Sequence, residues 1–546
     1  MRFDGEDIMR INKIVVRNYK ILKDIVIELN PKINIFVGDN DAGKSTILEV
    51  LSIITTGKLN GYAWDRQMKA TLFNCDIREK YIAEVTLGKK PEPPRIIMEA
   101  YFDGDSRYKG TNNEFSENTP GIRVMAGISD DNTEVYRHML ANGEVKDIPI
   151  ELYDVSYHYF SGEIVNFRTS PFKSVFIDTT RKGYSGVIDH FVSNSITDNL
   201  TDEDIRNLAL AYKSSRIQFH EHEVVKKLNE TVKSNDIVKG HDISLDLRED
   251  DVESWKRQMA VVVDSIPFEN IGFGTQNIIK IELAMRNAEN QANIVLLEEP
   301  ENNLSFSNMA QLVNHVVKSN EKQVFISTHN SYIANKLDLG NVILVKEGKV
   351  RQYSSLPEET KKYFIKLPGY DTLRFVLASK VILVEGATDD LIIQRAYKDK
   401  TGHLPADDGI DIIAVEALAF KRFADIANLI GKEIVIVTDN DGNIKENIKE
   451  KYRGYIDRDN LKFIYESNIN FYTIEPSVLN ANCVDGQPTE NFKKAISKNG
   501  SLESRDYDGI LNFMEGNKTE WAFRIFESEL SICYPEYIEN VIAYFK

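Results

Sequence analysis

The run Gly38-Asp39-Asn40-Asp41-Ala42-Gly43-Lys44-Ser45 constrains the fold more than any other stretch of this chain. It fits G-x-x-x-x-G-K-[ST] at every fixed position, follows the apolar run Ile33–Val37 and precedes the apolar-periodic segment ILEVLSII at 47–54. Strand, glycine-rich turn and helix in that order form a phosphate cradle. Backbone N–H groups of the turn wrap the phosphates and the helix N-terminus adds its positive end. Lys44 reaches the β- and γ-oxygens, and the Ser45 hydroxyl ligates Mg²⁺. The nucleotide-binding residues read from this stretch are Gly38, Asn40, Gly43, Lys44, Ser45 and Thr46.

At roughly 150 residues per domain, a chain of 546 residues has room for three to four domains. Apolar residues make up 42%, enough for packed cores, which excludes a mainly disordered acidic chain. Lys and Arg number 67 against 84 Asp and Glu, a formal charge of −17, so the surface as a whole is no basic glove for nucleic acid. Basic clefts remain open to it. The two local excesses are residues 58–95 and 361–400, each with eight Lys or Arg against five acids. Cys75, Cys483 and Cys533 are odd in number, far apart and without a CxxC, so neither a disulfide framework nor a zinc ribbon is readable, and a reducing compartment fits best. The acidic opening MRFDGEDIMR, and the lack of any apolar run near ~18 residues, lead to the expectation of a cytoplasmic protein without a membrane segment.

Along the chain, residues 11–16, 25–29 and 33–37 read as short strands. From about 80 to 185, strand-like runs (YIAEVTL, RIIMEAYF, GIRVMAG, SVFID) alternate with turn residues and predict a β-rich continuation. Residues 186–265 turn polar and helically periodic, as in DIRNLALAYKSSRIQFHEHEVVKKLNETV, and predict a helical insertion serving as a dimerisation arm. The α/β pattern then resumes: helix NIIKIELAMRNA, strand NIVLLEE, helix NMAQLVNHVVKSN, strand VFISTHN, and a hairpin turning at Glu347-Gly348. A boundary falls at LPGYDT, 367–372. Beyond it, KVILVEG, DDLIIQRAY, GIDIIAV, FKRFADIANLI and EIVIVTD alternate strand and helix, which predicts a parallel sheet with functional groups at its carboxyl ends.

The apolar strand of IVLLEEPENN ends in Glu298 and Glu299. Two carboxylates at the end of a buried strand are costly unless compensated, and a Mg²⁺-ligating Glu298 with a water-activating Glu299 supplies the reason. Taken alone they read almost as well as a solvated strand end. One helix and one strand later comes His329, a position similar to the histidine switch that senses γ-phosphate in ABC-type ATPases. Gly272-Phe273-Gly274-Thr275-Gln276 resembles a variant of the ABC signature loop, in which Gly274 and Gln276 would contact nucleotide on a second subunit. It reads equally as a plain turn before a helix.

The second α/β unit places Glu385 in VILVEGATD, with Asp389 four residues on, and Asp439 and Asp441 in IVIVTDNDG. Carboxylates at the ends of neighbouring parallel strands converge, and an acidic cluster is stable when cations neutralise it. Mg²⁺ or Mn²⁺ prefers such oxygens, and two of them, ~4 Å apart, would activate water and stabilise the leaving oxygen of a phosphodiester. Glu-Gly followed by Asp-x-Asp, in this strand–helix setting, resembles the Toprim domain of topoisomerases, primases and related nucleases.

The motifs in this order, from INKIVVRNYKILKDIVIELNPKINIFVGDNDAGKST through EEPEN and TH to the Toprim-like unit, resemble the OLD family of ATP-linked nucleases across nearly the whole chain. The resemblance implies an α/β fold: an ABC-type ATPase head with a helical dimerisation insertion, followed by a Rossmann-like Toprim domain. The divisions expected are 1–185 and 266–366 for the head, 186–265 for the insertion and 367–546 for Toprim. It further implies that Lys44, Ser45, Glu298, Glu299 and His329 serve ATP, and that Glu385, Asp389, Asp439, Asp441 and Glu475 hold two Mg²⁺ or Mn²⁺. Glu475 lies in the strand-like NFYTIEP, and Lys518, heading NKTEWAFRIFES, is the implied catalytic lysine.

The activity implied is ATP-regulated nicking or cutting of double-stranded DNA in bacterial anti-phage defence, by a homo-dimer or tetramer. Companions in the family include a helicase-like subunit or a retron reverse transcriptase with its DNA–RNA product. An alternative is a regulatory ATPase scaffold whose Toprim domain cuts nothing and recruits a partner. A topoisomerase would need a tyrosine nucleophile, and none of the 24 tyrosines is set apart by its context.

Overall fold

The computed structural model describes residues 9–180, 200–234, 255, 260–286, 293–318, 321–497 and 500–545. It divides into two compact units: residues 1–33 with 45–327, and residues 34–44 with 328–546. Most of the expected arm, at 186–199 and 235–259, lies outside the described residues apart from Trp255.

In the first unit an antiparallel sheet runs Leu22–Glu28, Ile11–Tyr19, Ile96–Phe102, Thr119–Ile128, with Tyr153–Tyr159 and Lys109–Gly110 also paired to Thr119–Ile128. A parallel trio, Ser174–Asp178, Ile294–Glu298 and Gln323–Ser327, keeps an unbroken register in which Asp178, Glu298 and Ser327 end side by side. Ile294–Glu298 and Gln323–Ser327 are buried at every position, the near-continuous apolar signature of strands covered on both faces.

One sequence expectation fails in this unit. YIAEVTL is not a strand but the end of the helix Cys75–Thr86. A short run rich in β-branched and aromatic residues is ambiguous in period, and here only Tyr81 is buried, which suits one face of a helix.

The polar segment beyond residue 200 forms two helices as expected, Asp202–Glu221 and Glu223–Ser234. Thr201 caps the first reciprocally with Asp204, and the chain leaves helical geometry at His222, which separates the two. Leu210, Ile217, Phe219, Val224 and Leu228 stay exposed on them.

In the second unit Ile33–Val37 pairs in parallel with Val342–Lys346, which turns through Glu347 and Gly348, both with positive φ, into Lys349–Gln352. A four-stranded parallel sheet follows, in the order Ile410–Ala414, Lys380–Val384, Ile434–Val437, Leu461–Ile464. The first strand of this sheet is flanked by the second on one side and the third on the other. The chain therefore reverses direction across it, and the crevice at such a switch point opens at the carboxyl ends of those strands. Glu385 follows the first strand and Thr438-Asp439 follow the third.

Helices Ala387–Thr401, Ile474–Ala481, Lys518–Glu527 and Glu536–Tyr544 pack over this sheet around Ile392, Ile393, Val478, Trp521, Ile525, Ile538 and Val541. Among the described residues no helix is long and apolar enough to cross a membrane, and all three cysteines are free.

Candidate functional site

The phosphate-binding loop is shaped before any ligand enters. Asp41 and Gly43 take positive φ, and a Cβ on Gly38 would stand 2.2 Å from the Val345 carbonyl oxygen, so only glycine fits there. Lys44 is buried, and its ammonium donates to the carbonyls of Gly38 (3.0 Å) and Asp39 (2.9 Å), closing the loop on itself. Asn40 is exposed, as is Ser45, whereas Thr46 is buried behind them on the helix Lys44–Thr56. The amide of Thr328 donates to Phe36 (3.1 Å), which sets the next residue, the exposed His329, just past the end of the loop's own strand.

In the first unit Glu298 is buried at its strand end, and Glu299 takes a left-handed backbone conformation fixed by its amide on the Ser327 carbonyl (3.0 Å). The Thr179 hydroxyl donates to the carbonyls of both glutamates. Asp178, level with Glu298, is an acid that sequence reasoning missed, although SVFID ends a buried-type strand just as IVLLE does. Burial lowers the Lys280 ammonium, an effect that nearby Asp178 opposes. Gly274 is required where it stands, because a Cβ would meet the Asn303 carbonyl oxygen at 2.3 Å. Gln276 is buried and donates to Ile271 (3.0 Å) and Glu269 (3.5 Å), so its amide braces its own loop.

At the switch point of the C-terminal sheet the sequence-predicted acids come together. Glu385 accepts from the Thr438 hydroxyl (2.6 Å) and the Asp439 amide (3.0 Å), both on Oε1. Asp389 is buried in the first turn of the helix Ala387–Thr401, where its carboxylate accepts from the Gly386 amide (3.2 Å). Burial, then Glu385 and Glu475, push the Asp389 carboxyl up to about 7. Asp439 is half-buried and is pushed up to about 9 by burial, then by Asp389, Glu385, Glu475 and Asp441. Asn440 points the other way: fully buried, it donates to the carbonyls of Glu466, Asn468 and Phe471 and accepts from the Gly442 amide. That anchor leaves Asp439 facing its acidic neighbours and Asp441, at positive φ, exposed.

Glu475 joins this cluster from an unexpected element. NFYTIEP is not a strand: Glu475 is buried in the first turn of the helix Ile474–Ala481. A run of aromatic and β-branched residues looks strand-like, but Ile474, Val478 and Leu479 pack inward at helical spacing. Lys518 heads its helix as expected and is exposed. Two buried tyrosines were missed. The Tyr537 phenol is raised by burial and then by Asp389, Asp439, Glu466 and Glu475; that of Tyr452 is raised by burial, then by Glu385 and Asp441. No three His, Cys, Asp or Glu side chains among the described residues form a ready-made cation cage. The donor set fits a hard divalent cation in chemistry, being all carboxylate, with Asp389 and Asp439 raised for want of a counter-charge.

The segment after His329 is tied directly to the approach to Glu385. Asn330 caps the short helix Ser331–Lys336. The Ser331 hydroxyl donates to Asp371 (2.7 Å) and accepts from the Leu373 amide (3.1 Å). Asn335 accepts from the Thr372 hydroxyl (2.6 Å) and donates to the carbonyls of Pro368 and Tyr370. Thr372 opens a helix that hands over to the strand Lys380–Val384 and so to Glu385. An aromatic cluster of Phe364, Tyr370, Phe375 and Phe423 stiffens the junction. Across it, Arg351 donates to the Ile430 carbonyl, and Thr360 to Asp425.

Comparison with known proteins finds two modules on the chain. The chain belongs to the AAA ATPase domain family, whose pattern it matches over residues 9–253 and 192–334. Residues 376–441 match the family described as overcoming lysogenization defect protein-like, TOPRIM domain. The fold is thus α/β, an AAA ATPase domain followed by a Toprim domain, and the pair of modules supports a nuclease/ATPase of the OLD type.

Among curated relatives, a DNA replication and repair protein RecF from Clostridium kluyveri is 28% identical over 186 residues, covering 32% of this chain and 47% of the relative, so this chain spans about half that relative's length. Solved structures that align with part of this chain include an Smc head domain with an extended coiled coil, bound to the C-terminal domain of ScpA derived from Pyrococcus furiosus. It is 14% identical with a TM-score of 0.33, over 66% of this chain and 99% of that one. Another is the recombination mediator protein RecF with ATP, 12% identical with a TM-score of 0.32, over 64% of this chain and 100% of that one.

Proposed function

We propose that this chain is an ATP-regulated, metal-dependent DNA endonuclease of the OLD type, acting in bacterial anti-phage defence. The observation that carries the reading is the set of carboxylates, Glu385, Asp389, Asp439 and Glu475, that interact at the switch point of a parallel sheet. With Asp441 they would hold Mg²⁺ or Mn²⁺, two in number. Bound there, such cations lower the pKa of water and stabilise the leaving oxygen of a phosphodiester. The protein's own part is to converge the acids, to shut solvent out behind Tyr537 and Tyr452, and to offer Lys518 to the charge that builds on the phosphate.

For ATP, Lys44 would exchange its loop carbonyls for the β- and γ-phosphates; Ser45 and Glu298 are the residues that would hold Mg²⁺, Glu299 would orient water and His329 would sense γ-phosphate. The Ser331 and Asn335 bonds give the state of that site a short path to Glu385. The double-stranded DNA substrate agrees with the DNA-related name of the RecF relative. In the stretch 361–400, Lys361, Arg374, Arg395 and Lys400 are paired with Glu358, Asp411, Asp399 and Glu539, so DNA contacts there fall to the remaining cations. The same reading keeps the divisions 1–185, 186–265, 266–366 and 367–546, with the helical insertion joining two or four copies in the cytoplasm. A defence-system companion, such as a helicase-like subunit or a retron reverse transcriptase with its DNA–RNA product, completes the assembly.

A second reading, a regulatory ATPase scaffold whose Toprim domain cuts nothing, is favoured by the lack of a ready-made cation cage among the described residues. Incubation of supercoiled plasmid with the full chain and Mg²⁺ or Mn²⁺ separates the two. Cleavage that Glu385→Ala and Asp439→Ala each slow by on the order of 100-fold or more supports the nuclease. A wild-type chain that never cuts, with either metal and at any ATP level, supports the scaffold.

A further inference from the structure

Glu385 is held by one of its two oxygens. The Thr438 hydroxyl (2.6 Å) and the Asp439 amide (3.0 Å) both donate to Oε1, while Oε2 has no protein partner among the described residues. Thr438 is itself immobile: it is buried, it follows the strand Ile434–Val437, and its amide donates to the Ile464 carbonyl of the next strand (3.3 Å). Beside it stands the hydroxyl of fully buried Tyr452, close enough for Thr438 to lower its phenol against the raising effect of burial, although no hydrogen bond of normal geometry joins the two. A threonine hydroxyl donates once and accepts twice, so with its proton on Glu385 it keeps lone pairs free to accept.

We propose that Thr438 is a positioning residue of the carboxylate site: its hydroxyl fixes the Glu385 side chain so that Oε1 belongs to the protein and Oε2 is presented to a divalent cation. This rests on the reading of the C-terminal site as a metal centre. A free glutamate at a strand end samples several rotamers, and only some of them keep the carboxylate beside Asp439. Two donors on one oxygen select the rotamer in advance, so cation binding need not order the side chain.

The test measures Mn²⁺ binding to the full chain by the electron paramagnetic resonance signal of free Mn²⁺, with no DNA and no turnover. Thr438→Val keeps the branched shape and removes the donor; it should weaken the Glu385-dependent Mn²⁺ site by ~10-fold or more. Thr438→Ser keeps the donor and should stay within ~3-fold of wild type. Should the valine chain not fold, Thr438→Cys, with its weak S–H donor, replaces it under the same expectation.

Glu385→Gln is the reference. If it binds Mn²⁺ as wild type does, the metal-centre reading itself fails. If it loses the site while Thr438→Val binds like wild type, the positioning role is overturned and the metal centre stands. A serine variant as weak as the valine one also overturns the proposal, because shape and not donation would then be what matters.

Discussion

Replacing Asp439 by Asn should make the protein's stability less sensitive to a rise in pH from 5 to 7 when no metal is present. In the folded chain the Asp439 carboxyl is raised from 3.8 to about 9 by burial and by the neighbouring acids. A carboxyl raised on folding contributes stability that is fully present below its unfolded value and is lost as pH climbs toward its folded value. Between pH 5 and 7 the unfolded chain has released this proton and the folded chain still holds it, so stability falls by ~1.4 kcal/mol for each pH unit. Over those two units the loss is ~3 kcal/mol, or ~6–12 °C in the melting temperature of the transition that unfolds the C-terminal sheet.

The side-chain amide that Asp439→Asn introduces titrates nothing, so the variant lacks this share of the slope. Asp389, raised to about 7 by burial with Glu385 and Glu475, keeps its own share in both proteins. The assay is a melting series in EDTA across pH 5 to 7, wild type against Asp439→Asn. Excess Mn²⁺, which favours the ionised carboxylates, should flatten the wild-type slope. Parallel wild-type and variant slopes in EDTA would refute the claim that these acids share an uncompensated pocket.

Three further outcomes are expected. Ser331→Ala removes two hydrogen bonds, worth ~2 kcal/mol, between the His329 segment and the approach to Glu385. The ratio of cleavage rates with and without ATP should then move toward one by up to ~30-fold, and an unchanged ratio rejects the path. Gly38→Ala would drive a methyl group into the Val345 carbonyl at 2.2 Å; binding of a fluorescent ATP analogue should be lost and stability should drop by ~1–3 kcal/mol. Lys518→Ala touches an exposed side chain, so melting temperature and Mn²⁺ affinity should hold while plasmid cleavage falls on the order of 100-fold; full activity would remove Lys518 from the chemistry.

How much of this could be seen in the chain beforehand depends on distance along it. The phosphate loop is a contiguous device, and its strand, turn and helix stand where the motif puts them. The C-terminal sheet was also legible, because strands buried on both faces read as apolar runs, and the helix Phe420–Ile430 shows its buried face at helical spacing. YIAEVTL and NFYTIEP misled for the same reason: aromatic and β-branched residues suit a strand locally, and only packing against the rest of the fold settles them as helix. What could not be read were partners joined across strands. Thr438 meets Glu385 over 53 residues of chain, and Tyr537 reaches the acids from the last helix. A threonine just before the Asp-x-Asp pair, at the end of an apolar strand, was the one local sign of the first contact.

The most direct test of a Toprim nuclease on this chain is the initial rate of supercoiled-plasmid cleavage at saturating Mn²⁺ and fixed ATP, for wild type and Glu385→Ala at equal concentration. Metal-dependent nicking or linearisation by the wild type, slowed on the order of 100-fold or more by the substitution, is the predicted result. Equal rates for the two proteins, or no cleavage by the wild type with either metal at any ATP level, would contradict it.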